Sequence, residues 1–246
     1  MEQIGTRMKE NYEQAFKSYL PKRMPVIIRL DGKSFHTLTR TLNKPYDENF
    51  IYMMQQTALY LCKNVQNCIA AYVQSDEISL LLHNYKKLDT QSWFGNEVQK
   101  MVSISAALAS SYFTELYYEA YGNFNTICFD SRAFVLPEAE VNNYFYWRYQ
   151  DWVRNSIQML AQSLYSHKEL HKKNSADLHE MCFQKGYNWA ELKPHLKNGT
   201  CYYLKNEYAL GGNAITSKEW VTLTDFDFHK NPEIIEDLLK ADYSKE

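Results

Sequence analysis

What most constrains the fold of this chain is the order of its apolar runs between Val26 and Leu136. Val26-Ile27-Ile28-Arg29-Leu30 is short, β-branched and mostly apolar, bounded by Pro25 and Gly32, and reads as a buried strand. Asp47 is placed to cap a helix running to about Val65, whose apolar face carries Phe50, Met53, Met54, Thr57, Ala58 and Leu61. Two further strands, Ile69 to Val73 and Ile78 to Leu82, flank the polar turn Gln74-Ser75-Asp76-Glu77 at hairpin spacing. From Glu97 to about Tyr121, helical periodicity runs through Val98, Met101, Ser105, Leu108, Ala109, Tyr112 and Leu116. Ile127 to Leu136 then reads as a fourth strand. The order is β-α-β-β-α-β, which predicts an α+β fold of the ferredoxin-like kind, an antiparallel sheet with helices on one face.

That topology decides where chemistry can gather. The C-terminal end of the first strand lies beside the hairpin turn, so Asp31 and Asp76 are expected to meet at one sheet edge. Asp130 and Arg132, at the start of the last strand, fall at the same edge. Taken singly, Asp31-Gly32 and Ser75-Asp76-Glu77 are ordinary turn residues. Together, two carboxylates repel unless a cation or a proton intervenes. Oxygen ligands suit Mg²⁺, which commonly takes one or two carboxylates plus substrate phosphates, and two such ions about 4 Å apart stabilise both oxygens of an in-line displacement. The residues alone therefore point to metal-dependent phosphoryl or nucleotidyl transfer. A nucleotide cyclase and a non-catalytic RNA-binding protein remain as rivals.

Around this unit the signals are weaker. Ile4, Met8, Tyr12 and Phe16, at spacing four, predict an amphipathic helix from Met1 to about Leu20. The chain divides into residues 1–136, the catalytic region with its N-terminal helix, and 137–246, a mainly helical region packed on it as one unit. A long helix is expected from Pro137 to about Tyr165, with short strands near Tyr202 to Leu204 and Trp220 to Leu223. Apolar runs are too short to cross a bilayer, which takes about 20 residues. With no continuous apolar core near Met1, a cytoplasmic location is expected. Five Cys in no C-x-x-C pair are read as reduced thiols. The net charge of −2 gives no bulk attraction for nucleic acid. Local strips, Lys22-Arg23 and Lys168 with His171, Lys172 and Lys173, are the places where phosphates can be met.

The motif residues carry a further signal. Arg29-Leu30-Asp31-Gly32-Lys33-Ser34-Phe35-His36, Lys44-Pro45-Tyr46-Asp47, Gln74-Ser75-Asp76-Glu77-Ile78-Ser79 and Phe129-Asp130-Ser131-Arg132 resemble the tRNA-histidine guanylyltransferase family, including its bacterial and archaeal "like" proteins. Weaker similarity continues through Tyr146-Trp147-Arg148. The resemblance implies a polymerase-type palm that extends RNA in the 3′-to-5′ direction at a tRNA 5′ end, with ATP or GTP as substrates, two Mg²⁺ ions and a homotetramer. By motif it implies Asp31, Asp76 and the Gly32 carbonyl as metal ligands and Glu77 as a supporting acid. It places Lys33, Ser34, Phe35, His36 and Ser75 at the nucleotide, with Lys44 and Arg132 on phosphate charge.

Two departures bear on the substrate. Family members that add the extra G to tRNA-histidine carry His-Ile-Asn-Asn-Leu-Tyr-Asn where this chain reads Val153-Arg154-Asn155-Ser156-Ile157-Gln158-Met159, and Asp-Lys-Asn-Glu where it reads Asp177-Leu178-His179-Glu180. The resemblance therefore leans to the "like" proteins, which repair truncated tRNA 5′ ends against a template; addition of G at the −1 position is the alternative. Arg154, Asn155, Lys172 and Lys173 are the candidate RNA contacts.

Overall fold

A computed structural model of the chain describes residues 3–85, 87–208 and 215–241. The elements in chain order are α1 (Ile4–Met8), β1 (Val26–Gly32), α2 (Phe35–Leu38), α3 (Glu48–Asn64), β2 (Cys68–Gln74), β3 (Glu77–Leu82), α4 (Val98–Tyr121), β4 (Phe129–Val135), α5 (Glu138–Leu164), α6 (His167–Leu170), α7 (Ser175–Gln184), α8 (Pro194–Asn198), β5 (Thr200–Tyr208), β6 (Ile215–Leu223) and α9 (Glu233–Lys240). The strands form one six-stranded sheet in the order β4-β1-β3-β2-β5-β6, and every pairing is antiparallel. The expected β-α-β-β-α-β order is present. β3 lies between β1 and β2, so the α3 crossover joins two strands that run the same way without touching.

Period-two alternation divides β1 between two cores. Val26, Ile28 and Leu30 point to a cluster with Met53, Met54, Leu61, Met101 and Phe113 from α3 and α4. Ile27 points the other way, to Val141, Tyr144 and Phe145 of α5 and Ile235 and Leu238 of α9. Helices were expected on one face only, and the region after residue 137 was expected to be mainly helical. In the structure that region covers the second face with α5 and α9. It also lengthens the sheet, because the two short C-terminal strands are nine residues each and join it beyond β2.

Asp47 caps α3 as its position suggests: its Oδ1 accepts the Phe50 N–H at 2.9 Å, and its Oδ2 accepts the Asn43 N–H at 3.1 Å. At the N-terminus, α1 gives way to a wide i→i+5 turn over Lys9–Glu13 and a tight one over Gln14–Phe16. Its apolar stripe meets no core: Ile4 is 71% and Phe16 77% exposed. No helix among the described residues is long and apolar enough to cross a membrane.

Candidate active site

Three strand ends converge at one edge. Asp31 lies opposite Glu77 on β3 and opposite Asp130 on β4. Between Gln74 and Glu77, which pair, only Ser75 and Asp76 remain to turn the chain, and Ser75 takes a left-handed φ of 47°. Backbone bonds lock the edge: the Gly32 N–H donates to the Asp76 carbonyl at 3.0 Å and the Lys33 N–H to the Cys128 carbonyl at 2.9 Å. Gly32 is needed for a packing reason. A Cβ there would lie 2.4 Å from the ring of Phe35, which is buried among Phe50, Phe113 and Phe129.

Four carboxylates crowd this edge, and the arginines around them are not shared evenly. Glu77, 5% exposed, takes a bidentate Arg148 at 2.7 and 2.9 Å. Arg29 stands 3.3 Å from Glu77 Oε2, within ion-pair distance though without hydrogen-bond alignment. Arg132 pairs with Asp130 at 3.1 Å. Arg148 also reaches Asp151 at 2.9 Å, and Arg154 pairs with the same carboxylate. Among the described residues, Asp31 and Asp76 have no ion-pair partner. Burial raises the pKa of Asp31, the charge of Asp130 raises it further, and Arg29, Arg132 and Arg148 oppose the rise. Asp76 is likewise raised by burial and by the charge of Asp31. Among the described residues no group of three or more His, Cys, Asp or Glu is arranged to hold a metal ion. Two aspartates that lack an ion-pair partner among the described residues and offer oxygen donors fit a hard cation that takes its remaining ligands from water and phosphate.

The other expected site residues are distributed around this edge. Lys33 and His36 are exposed on the loop and turn that follow β1, and Ser34 is held there with φ 61°. Lys44 donates to the Thr39 carbonyl at 2.9 Å, so its ammonium ties down its own loop. Asn155, one turn beyond Asp151, donates to that carboxylate at 3.5 Å. Lys172 and Lys173 are exposed on the segment after α6.

Beside the hairpin turn lies an apolar cleft lined by Tyr46, Phe50, Ser75, Trp152, His195 and Thr200 among others. Its walls are stapled by the Tyr46 hydroxyl on the Ser156 carbonyl at 2.8 Å and by Gln55 on Thr200 at 2.9 Å. Sequence reasoning missed Trp152, His195 and Thr200 as cleft residues, since only the fold brings them to Ser75. Arg148 was legible as part of the Tyr146-Trp147-Arg148 block, but without its partner.

In class, a sheet edge that offers two aspartates without an ion-pair partner among the described residues, beside an apolar cleft, has the donor set for a hard cation and the phosphates it carries. The family model described as "Thg1: tRNAHis guanylyltransferase" matches residues 5–137. A solved bacterial tRNA(His) guanylyltransferase (Thg1)-like protein in complex with ATP superposes with a TM-score of 0.87 at 40% identity, covering 96% of this chain and 99% of that one. A second such structure, in complex with GTP, gives 0.80 at 37% identity, covering 97% of this chain and 99% of that one. A probable tRNA(His) guanylyltransferase of Drosophila melanogaster is 27% identical over 192 residues, 71% of this chain and 65% of that protein. The chain belongs to the tRNAHis guanylyltransferase family, a family of nucleotidyltransferases. It spans less than two thirds of the length of the first curated relatives it matches.

Proposed function

We propose that the chain is a metal-dependent 3′-to-5′ nucleotidyltransferase that repairs 5′-truncated tRNA against the opposing strand, on a polymerase-type palm. The observation that carries it is the Asp31–Asp76 pair, which among the described residues has no ion-pair partner where every neighbouring carboxylate has an arginine. Asp31, Asp76 and the Gly32 carbonyl would hold Mg²⁺, which would supply charge neutralisation for the attacking and leaving oxygens. Arg148 and Arg29 hold Glu77 in place behind Asp31. ATP or GTP activates the 5′ end, with the base in the cleft beside Ser75 and Tyr46. The two ions and a homotetramer rest on the family resemblance, and a cytoplasmic location, expected from the sequence pattern, is proposed with them.

Repair is favoured over addition of G at −1 by what occupies the two departing motifs. Ser156 is fully buried, and its hydroxyl donates to the Val153 carbonyl at 3.0 Å and accepts the Trp189 indole N–H at 3.0 Å. Leu178, where the family motif has Lys, is 4% exposed and packs with Ile157, Leu160 and Cys182. Neither position offers a polar group to RNA, so neither can enforce the choice of tRNA-histidine. The names of the curated relatives favour the alternative, G addition at −1.

The test of the site is single-turnover transfer onto a labelled 5′-truncated tRNA by Asp31→Ala and Asp76→Ala. Both are expected to lose about 10²- to 10³-fold in rate, the order of a lost preorganised charge interaction, with the fold retained by circular dichroism. Near wild-type turnover by either variant at saturating Mg²⁺ would overturn the assignment.

A further inference from the structure

α5 is longer than the sheet it crosses. Its first half lies on the central strands β1, β3 and β2 through Val141, Tyr144 and Phe145, and reaches the carboxylate edge at Arg148. Past that point Ile157, Leu160 and Ala161 bury themselves against Leu178 and Cys182 of α7 instead. The second half of α5 therefore overhangs the edge and carries α6 and α7 with it. Arg154, Gln158 and Gln162, spaced four apart, stay exposed along the overhang. From Arg148 to Gln162 the helix advances about 21 Å.

This stripe ends in a polar cavity of about 560 Å³ lined by Gln158, Gln162, His167, His171, Lys172 and Lys173. Lys185 adds a further cation, lying 5.2 Å over the ring of Tyr165 in the cavity wall. The acids nearby are occupied elsewhere: Glu169 accepts the Ser166 N–H at 2.8 Å and Asp177 the Asn174 N–H at 3.0 Å, each closing a helix N-terminus. Among the described residues, no carboxylate pairs with Lys168, His171, Lys172 or Lys173. Glu169 and Asp177 keep their charges, and Glu169 lies in the field of Lys185, but Lys168, Lys172 and Lys173 carry exposed positive charge that no carboxylate among the described residues pairs.

We propose that the exposed stripe of α5 and the basic cavity at its end form the track for the backbone of an RNA duplex whose 5′ end lies at Asp31 and Asp76. The proposal rests on the nucleotidyltransferase reading above and names the surface that holds its RNA. Lysines meet phosphates as point charges, and the two glutamine amides hydrogen-bond phosphate or 2′-hydroxyl oxygens. None of these groups reads bases, so the track positions any acceptor stem without selecting its sequence.

The experiment is fluorescence anisotropy of a 3′-labelled RNA hairpin with a 5′-truncated stem, titrated with the full chain in EDTA without nucleotide, over a range of salt. Lys172→Gln/Lys173→Gln is expected to weaken binding about tenfold and to lower the slope of log K against log salt by about 0.7 to 0.9 for each phosphate that is no longer neutralised. Lys172→Arg/Lys173→Arg should restore both, and Gln158→Ala/Gln162→Ala should weaken binding with little change in slope. Wild-type affinity and slope in the Lys→Gln double variant would overturn the track. The Asp31→Ala chain separates the two proposals: it should bind this RNA normally while failing to extend it. Extension by Asp31→Ala sinks the active-site reading, whereas unchanged binding by the Lys→Gln variant sinks the track alone.

Discussion

Gly32 shows how a single hydrogen in place of a methyl group sets the geometry of the site. Its N–H holds the Asp76 carbonyl, while its bare Cα lets the Phe35 ring close under the edge. Gly32→Ala sets a methyl against a rigid ring packed on three others, an overpacking expected to cost about 2 kcal/mol. Urea unfolding measures it, and a loss under about 0.5 kcal/mol would mean that the Phe35 cluster yields more easily than its packing implies. At the aspartates the expectation is the reverse. Both carboxyls have pKa values raised above the ordinary aspartate range, by burial and then by a neighbouring carboxylate. A group whose folded-state pKa is raised stabilises the fold below its unfolded pKa of about 3.9 and loses that contribution as pH rises through the folded value. Asp31→Asn and Asp76→Asn should therefore melt higher than the wild type at pH 7 in EDTA, with the difference closing towards pH 3. A lower melting temperature for both at pH 7 would show that the charges are compensated after all.

At the scale of elements, the N-terminus of α3 bears on both fold and cleft. Asp47 accepts from Phe50 and from the backbone and side chain of Asn43, so it ties the helix to the preceding loop as well as capping it. Asp47 Oδ1 also accepts the Tyr121 hydroxyl at 3.4 Å; Asp47→Ala is expected to cost about 1 to 2 kcal/mol, read by denaturant unfolding, and an unchanged midpoint would mean that water replaces all four bonds. This cap was legible in sequence, as were β1, the hairpin and α4, because each element carries its own periodicity or turn chemistry. β5 and β6 were seen only as fragments. Their polar stretches, Lys205-Asn206 and Ser217-Lys218-Glu219, interrupt the apolar run. A clue lay in β2 instead: all seven of its residues are buried, and Cys68 to Val73 has no charged side chain of the kind that protects an edge strand. A strand of that composition calls for a neighbour on each side. Arg148 and the cleft wall at His195 and Thr200 were not legible as site residues. Their role depends on which strand or helix they face, and no local pattern encodes that.

For the whole molecule, the fold reads as a sheet covered on both faces, with its chemistry at one end and a helical lobe reaching beyond that end. Closing the second face with α5 does two things. It plants Arg148 on Glu77, which leaves Asp31 and Asp76 as the carboxylates of the edge without an ion pair among the described residues. It also sends the rest of the helix out over the place where a tRNA end would sit. With Ser156 and Leu178 turned into the lobe's own core, neither offers a polar group to RNA, and under the repair proposal base choice falls to the strand opposite the gap. The most direct measurement is incubation of a 3′-labelled tRNA lacking its first nucleotide with Mg²⁺, ATP and one NTP at a time, for four tRNAs that differ only in the opposing 3′-strand base. In each tRNA the NTP that pairs with the opposing base should be added, at similar kcat/KM across the four. Addition of G whatever base stands opposite, or a strong preference for tRNA-histidine, would contradict templated repair and restore the guanylyltransferase alternative.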